Sequence, residues 1–354
     1  TGFPGFIGER LIPRVLDLQP TSRIACLVQP RFLDTARKSV AELEARHPAV
    51  GGRLDLLAGD ITEPALGLSE GHVRALRGSL RSAYHLAAVY DLAVGRDLAR
   101  RVNVEGTRNV LAFLGDVRAF ERLHYVSTCY VSGTATGVFR ETDLDVGQSF
   151  RNHYEETKFL AEVDVVKSGV PATVYRPSIV MGDSRTGETG KFDGPYFILT
   201  AMERVPSPGL FLRVGSGRNP ANLVPVDFIV ESLARLSSDA RSADKTYHLA
   251  DPEPLSAFEV GKLFARALGK RFTYVPAPLA LARAAFAPRA VQSLFGMPRE
   301  TLDYFDHPCR YDTTIATADL AALGIRCPRF SDYAPRLVEF YRANKGKVRR
   351  AAMV

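Results

Sequence analysis

Cysteine is scarce in this chain. Its 354 residues hold four, Cys26, Cys129, Cys309 and Cys327, far apart and never as a C-x-x-C pair. That spacing argues against a disulfide framework and a zinc site, so no metal is expected, and it fits a reducing cytoplasm. Long apolar runs are missing too: none approaches the roughly 20 residues that span a bilayer. No signal peptide is visible. Basic runs and nucleic-acid motifs are absent, so the net charge of +7 and pI near 9.3 read as a diffuse basic surface. Such a surface suits phosphorylated cofactors or an acidic carrier partner better than nucleic acid. Repeats, low-complexity tracts and long linkers are lacking as well. The chain does not begin with methionine and opens inside a motif, so a short N-terminal piece carrying a first strand is expected ahead of it.

That motif is Thr1-Gly2-Phe3-Pro4-Gly5-Phe6-Ile7-Gly8, a Gly-x-x-Gly-x-x-Gly turn. Gly2, Gly5 and Gly8 let the backbone turn tightly and approach a pyrophosphate, and the amides of Phe6 and Ile7 open a helix aimed at it. Ile7, Leu11, Ile12, Val15 and Leu16 recur at helical spacing. The next strand, 23–28, runs into Gln29-Pro30-Arg31 with no carboxylate at its end. NAD-binding strands tend to close on an acidic residue, whereas a guanidinium suits a 2′-phosphate. Arg31 therefore favours NADP(H) over NAD(H), the alternative being a solvated loop arginine.

Strands and helices then alternate. A polar helix covers 34–48, a strand 54–61, a helix 70–78, a strand 82–88, a helix to about 114, a strand 123–128 and a strand 172–180. This rhythm predicts an α/β, doubly wound parallel sheet of Rossmann type, its first strand truncated. Asp60 closes the third strand, where it can accept from an adenine amino group while the Ile61 amide bonds the ring. Ala87 is one of the small residues that let a cofactor lie close, and Pro177 and Ile179 are further candidates to line it. His85 reads as a packed strand residue ahead of a catalyst. Asn103 can hold the lysine's surroundings or cap or kink its helix. Thr128 ends its strand where ligands bind in such sheets; Ser127 is its alternative, facing the other way.

Tyr154 and Lys158 lie four residues apart, about 40° around a helix, so both leave one face. A free tyrosine ionises near pH ~10, and an ammonium held beside it is expected to lower that value. Beyond residue 182 proline, glycine and aromatics increase. The expected division is 1–180 with about 223–250 as the NADP-binding domain. A discontinuous, mostly helical substrate-binding cap takes about 181–222 and 251–345. A membrane-surface helix over 280–296 is a less favoured reading.

Together these segments resemble the extended short-chain dehydrogenase/reductase superfamily, and within it the fatty acyl-CoA reductase (male-sterility type) and thioester reductase branch. The resemblance rests on Thr1–Gly8, Gly59–Pro64 with Leu66-Gly67-Leu68-Ser69, His85–Ala88, Asn103–Thr107, Val126–Thr128, Tyr154–Lys158 and Tyr175–Val180 with Gly182-Asp183-Ser184. Phe3-Pro4 departs from the alanine and threonine more usual in that branch. The resemblance implies that Thr128 and Tyr154 polarise a carbonyl, that Tyr154 protonates its oxygen, that Lys158 holds the nicotinamide ribose, and that Asn103 is a fourth member. It implies an NADPH-dependent reductase acting on an acyl thioester, bound to CoA or to a separate acidic carrier protein, and giving aldehyde or alcohol. A ketone, steroid or 3-oxoacyl reductase uses the same residues. A nucleotide-sugar epimerase or dehydratase would need cap cations, for which Arg213 and Arg218 are the candidates. A non-catalytic NADP sensor would not need the Tyr–Lys pair.

Overall fold

The structure, a computed structural model, describes residues 1–295, 302, 304 and 307–346. The first half runs α1 (Phe6–Leu18), β1 (Ile24–Val28), α2 (Leu33–Arg46), β2 (Leu54–Ala58), α3 (Glu70–Ser79), β3 (Ser82–His85), α4 (Arg96–Ala99), α5 (Gly106–Gly115), β4 (Arg122–Val126), β5 (Gly137–Phe139), α6 (His153–Lys167) and β6 (Ala172–Pro177). There follow β7 (Ile179–Met181), α7 (Tyr196–Arg204), β8 (Gly209–Val214), β9 (Leu223–Pro225), α8 (Val226–Ser237), β10 (Thr246–Leu249) and α9 (Ala257–Ala267). The chain ends with β11 (Phe272–Ala277), α10 (Leu279–Ala285), α11 (Arg289–Phe295), β12 (Cys309–Tyr311), α12 (Thr314–Ala322) and α13 (Phe330–Asn344).

A helical crossover between strands makes neighbours parallel. Accordingly β10, β6, β4 and β3 pair in that order, all parallel, and β1 pairs with β2 in a separate parallel pair. Strand residues alternate between two buried faces. On β6, Val174 joins the core under α5 and α6 with Val110, Leu114 and Ala161. Tyr175 joins the opposite core with Leu11 and Val15 of α1 and Ile229 and Leu233 of α8. Each such side chain, once buried, contributes about 1.5–3 kcal/mol. Helices on both faces make this the expected doubly wound Rossmann-type sheet. A separate, mostly helical core joins Leu199 and Met202 of α7, Phe264 of α9 and Leu337 of α13, with the parallel β8–β11 pair against it.

Several boundaries differ from the sequence reading. The strand expected over 172–180 breaks after Pro177: the Ser178 amide still donates to Leu249 O of β10, but the Ile179 amide crosses to Asn222 O, and β7 pairs with β9. The apolar stretch 277–296 ends β11 and then folds as two seven-residue helices, α10 and α11, with Pro288 between them. Residue 296 lies outside the described residues, as do 297–301, 303, 305 and 306 of the expected cap. Within the range expected for the cap, β12 pairs with β5, and Ala316 and Leu320 of α12 pack into the sheet's core. Among the described residues no helix is long and apolar enough to cross a membrane.

Candidate active site

The glycine turn sits on the end of β3. Thr1 donates through its amino group to Tyr84 O at 2.8 Å, and the Ala87 amide donates to Thr1 Oγ1 at 3.2 Å. Gly2 has φ +91°, and a Cβ there would lie 2.8 Å from Leu86 Cβ. At Gly8 a Cβ would meet Gly2 O at 2.8 Å. Phe3 is buried with Ile12 and Leu16 and anchors the turn. The first helical bond of α1 runs from Glu9 N to Gly5 O, so the amides of Phe6, Ile7 and Gly8 precede the helical ladder and can meet an anion.

Arg31 is exposed, in a tight turn after β1; its Nε donates to Gln29 Oε1 at 3.0 Å and its guanidinium stacks on Phe32. Gln29 Nε2 donates onward to Asp60 Oδ2 at 2.8 Å, so one amide links the guanidinium and the carboxylate. Asp60 Oδ1 also accepts from the Thr62 amide and hydroxyl. Ala65, Leu66 and Gly67 all have positive φ, which turns Leu66 O back onto the Asp60 amide at 2.8 Å. A Cβ at Gly59 would lie 2.5 Å from Leu66 O, so glycine is required there. Ile61 is buried, its carbonyl accepting from Asn109 Nδ2 at 2.8 Å.

At the far end of β4, Thr128 is buried, and its side chain is close enough to Tyr154 to favour the tyrosine's ionised form. Thr128 Oγ1 also lies 3.5 Å from Pro177 O and accepts from Tyr130 N. Tyr154, half-buried, stands in the first turn of α6, which Asn152 caps by accepting from the Glu155 amide at 3.0 Å. Ile179 opens β7 with its amide on Asn222 O. Between Pro177 and Ile179, the buried Ser178 Oγ has no hydrogen-bond partner among the described residues.

Lys158 corrects one expectation. Its Nζ donates to Tyr125 OH at 3.0 Å and Val126 O at 2.8 Å and lies 4.5 Å from the Tyr125 ring centre. The ammonium is drawn into β4, and Tyr154 is not lowered: burial pushes it up to about 12, against the opposite pull of the neighbouring Thr128 side chain. A phenolate loses more on leaving water than that one polar neighbour returns. Burial likewise brings Lys158 down to about 8, with Glu162 pulling the other way.

Asn103 lies in a π-helical turn, Arg100–Glu105. Its amide accepts from Val89 N at 2.8 Å and donates to Val89 O and Thr157 Oγ1 at 3.0 Å each. It joins the loop after β3 to α6. Ser127 donates to Glu162 and not toward Tyr154. His85 is buried with both ring nitrogens bonded, to Thr1 Oγ1 at 2.7 Å and Thr107 Oγ1 at 3.1 Å, and burial holds it neutral. It is a packed strand residue.

Sequence reasoning left Tyr125, Thr157, Glu162 and Arg176 without a role. Glu162 follows Lys158 at i+4, the one available signal. Three buried charges on α6, Glu155, Lys158 and Glu162, interrupt the apolar stripe that would have marked its inner face. The free amides of α1, the Arg31–Gln29–Asp60 chain and the unpartnered Ser178 hydroxyl lie at the ends of the parallel strands, which fits a nicotinamide dinucleotide along that edge.

Residues 1–233 match the family of NAD-binding domains described as male sterility protein. The chain belongs to this family. It is 29% identical over 272 residues to the nonribosomal peptide synthetase asaC of Aspergillus flavus, covering 72% of this chain and 26% of that one. It is 26% identical over 269 residues to the fatty acyl-CoA reductase wat of Drosophila melanogaster, covering 66% of this chain and 52% of the other. It thus spans at most about half the length of these two curated relatives. Its fold matches the terminal R domain of the myxalamid PKS-NRPS biosynthetic pathway with a TM-score of 0.78 at 24% identity, over 97% of this chain and 89% of that one.

Proposed function

We propose that this chain is an NADPH-dependent reductase that delivers hydride to an acyl thioester. The observation that carries this is the placing of Thr128, at the end of β4, beside Tyr154, with Lys158 one turn along the tyrosine's helix. The amides of Phe6, Ile7 and Gly8 hold the pyrophosphate, Arg31 the 2′-phosphate, and Asp60 with Ile61 the adenine. Ala87, Pro177 and Ile179 line the nicotinamide half, and Lys158 binds its ribose. The bound cofactor supplies the hydride.

Thr128 and Tyr154 donate to the thioester oxygen. A phenol pushed up to about 12 keeps its proton at neutral pH, which suits a general acid. As the carbonyl carbon gains hydride, the oxygen takes the Tyr154 proton; the hydroxyl then returns that proton to Tyr154 as the C=O reforms and the C–S bond breaks, and the leaving sulfur takes up a proton from water, leaving aldehyde and free thiol. A second hydride transfer at the same site gives the alcohol. Asn103 acts through Thr157 and Val89, positioning α6. Residues 1–180 with 223–250 form the cofactor domain, joined by 309–322, and the rest of 181–222 and 251–345 receives the acyl part. The net charge of +7 favours an acidic carrier or CoA. The free cysteines, three of them buried, support a cytoplasmic setting.

The thioester, as opposed to a ketone, is supported by what the relatives are called: a fatty acyl-CoA reductase and a terminal R domain. The test is NADPH oxidation with acyl-CoAs, carrier-bound acyl thioesters, ketones and UDP-sugars, with free thiol measured in parallel. Oxidation with matching thiol release establishes thioester reduction. Turnover of a ketone and of no thioester moves the protein to ketone reduction with the same residues.

A further inference from the structure

The two neutral oxygens that hold Lys158, Tyr125 OH and Val126 O, do not balance its charge. The carboxylate that acts on it, Glu162, lies one helical turn away on the same face of α6 and is fully buried. Its Oε1 accepts from Arg176 Nε at 2.9 Å and Nη2 at 2.6 Å, and its other oxygen accepts from the Ser127 hydroxyl. Arg176 continues to His248 Nε2 at 3.0 Å. Ser127 sits between Val126, whose carbonyl takes the lysine, and Thr128, which meets Tyr154. One carboxylate is thus tied to the segment that presents both groups.

We propose that Glu162 is a positioning residue of the site: through Ser127 it fixes the end of β4, and its charge holds Lys158 as an ammonium. Arg176 keeps that charge in place, since a lone buried carboxylate would take up a proton. The titratable neighbours of Lys158 are Tyr125 from β4, His85 from β3, and Tyr154 and Glu162 from its own helix. The π turn packed against α6 turns Asn103 and Val104 inward, while its charged residues Arg100, Arg101 and Glu105 are exposed. His85 is held neutral and Tyr125 is pushed well above its usual value, both by burial first. That leaves Glu162 as the charge acting on the lysine.

The inference rests on reading Lys158 as the cofactor-binding cation, and its test separates the two. Lysine Cε shifts are followed by NMR against pH in the wild type, in Glu162→Gln and in Glu162→Gln/Arg176→Met, with the Lys158 signal assigned by Lys158→Met. The double variant leaves no unpaired guanidinium if the single one fails to fold. Wild-type Lys158 is expected to titrate near about pH 8, and both variants roughly one unit lower or more. NADPH affinity should follow, falling roughly threefold or more at about pH 7.5 while staying within about twofold of wild type near pH 6. A merely structural role would weaken binding equally at every pH. An unmoved Lys158 midpoint overturns the proposal. Absence of NADPH binding in the wild type overturns the proposed function instead, and the midpoint still decides the role of Glu162.

Discussion

The Lys158 ammonium donates to the Tyr125 hydroxyl at 3.0 Å and lies 4.5 Å from the centre of the same ring. One tyrosine therefore offers the lysine both an acceptor and a π face. Tyr125→Phe keeps the face and removes the acceptor, and a buried hydrogen bond to a charged group is worth about 1.5–3 kcal/mol. The expected loss of stability near pH 6.5 is of that order. Folding has lowered Lys158 from 10.5 to about 8, so the unfolded chain binds more protons above the folded value and stability rises with pH there. The variant's lysine titrates lower, so its rise starts earlier and the deficit narrows as pH approaches 8. Urea unfolding at a series of pH values checks this; a deficit that does not change with pH would disconnect the two residues.

Tyr154→Phe removes the proton donor and keeps the ring. Turnover should drop by roughly 10²-fold or more, as for loss of a general acid, with NADPH binding retained. Steady-state rates beside a fluorescence titration of the cofactor measure both. Unchanged turnover would remove Tyr154 from the chemistry.

Arg31→Ala should weaken NADPH binding roughly 10- to 100-fold, the size of a lost charged hydrogen bond, and leave NADH binding nearly unchanged. Arg31 is exposed, and its Nε alone is bonded to Gln29, so the fold should not suffer. Equal losses for both cofactors would mean that the guanidinium does not meet the phosphate.

At Gly2 the φ of +91° and the 2.8 Å approach to Leu86 leave no room for a side chain. Gly2→Ala should cost about 1–3 kcal/mol through backbone strain and at least about tenfold in cofactor affinity. Thermal melts and NADPH titration read the two effects. An unaltered affinity would show that the turn does not shape the binding edge.

Glu141 is buried and accepts from the amides of His248, Ile315 and Ala316, yet burial still raises it to about 7 from 4.5. A carboxyl that is raised on folding binds more protons in the folded state, so stability falls as pH climbs between those two values. A rise of that size corresponds to roughly 3 kcal/mol. The stability gap between wild type and Glu141→Gln should therefore shrink by up to about that much from pH 4.5 to 7. Denaturant melts across that window test it, and a constant gap would refute it.

Much of the architecture was legible because it follows local rules. Glycines at 2, 5 and 8, helical spacing in α1 and the alternation of strands and helices required a parallel sheet with a turn at one end. Boundaries slipped where neighbours decided them. Pro177 reads as strand continuation in the sequence, but two residues on the Ile179 amide finds Asn222, and the chain crosses from β10 to a new partner. The stretch 309–322 looked like cap because nothing local says that Ala316 and Leu320 meet the sheet.

For the site, the sequence by itself determined which groups share a face: Tyr154 and Lys158 on one side of a helix, Thr128 and Ser127 on opposite sides of a strand. Helical and strand periodicity are properties of the backbone alone. Only the tertiary structure decided where each charge goes. It turned Lys158 toward Tyr125, gave the Ser127 hydroxyl to Glu162, paired that carboxylate with Arg176 across the core, and left Thr128 with Tyr154. Those pairings join residues far apart in the chain, and they are set by the desolvation that burial imposes, which no local pattern records.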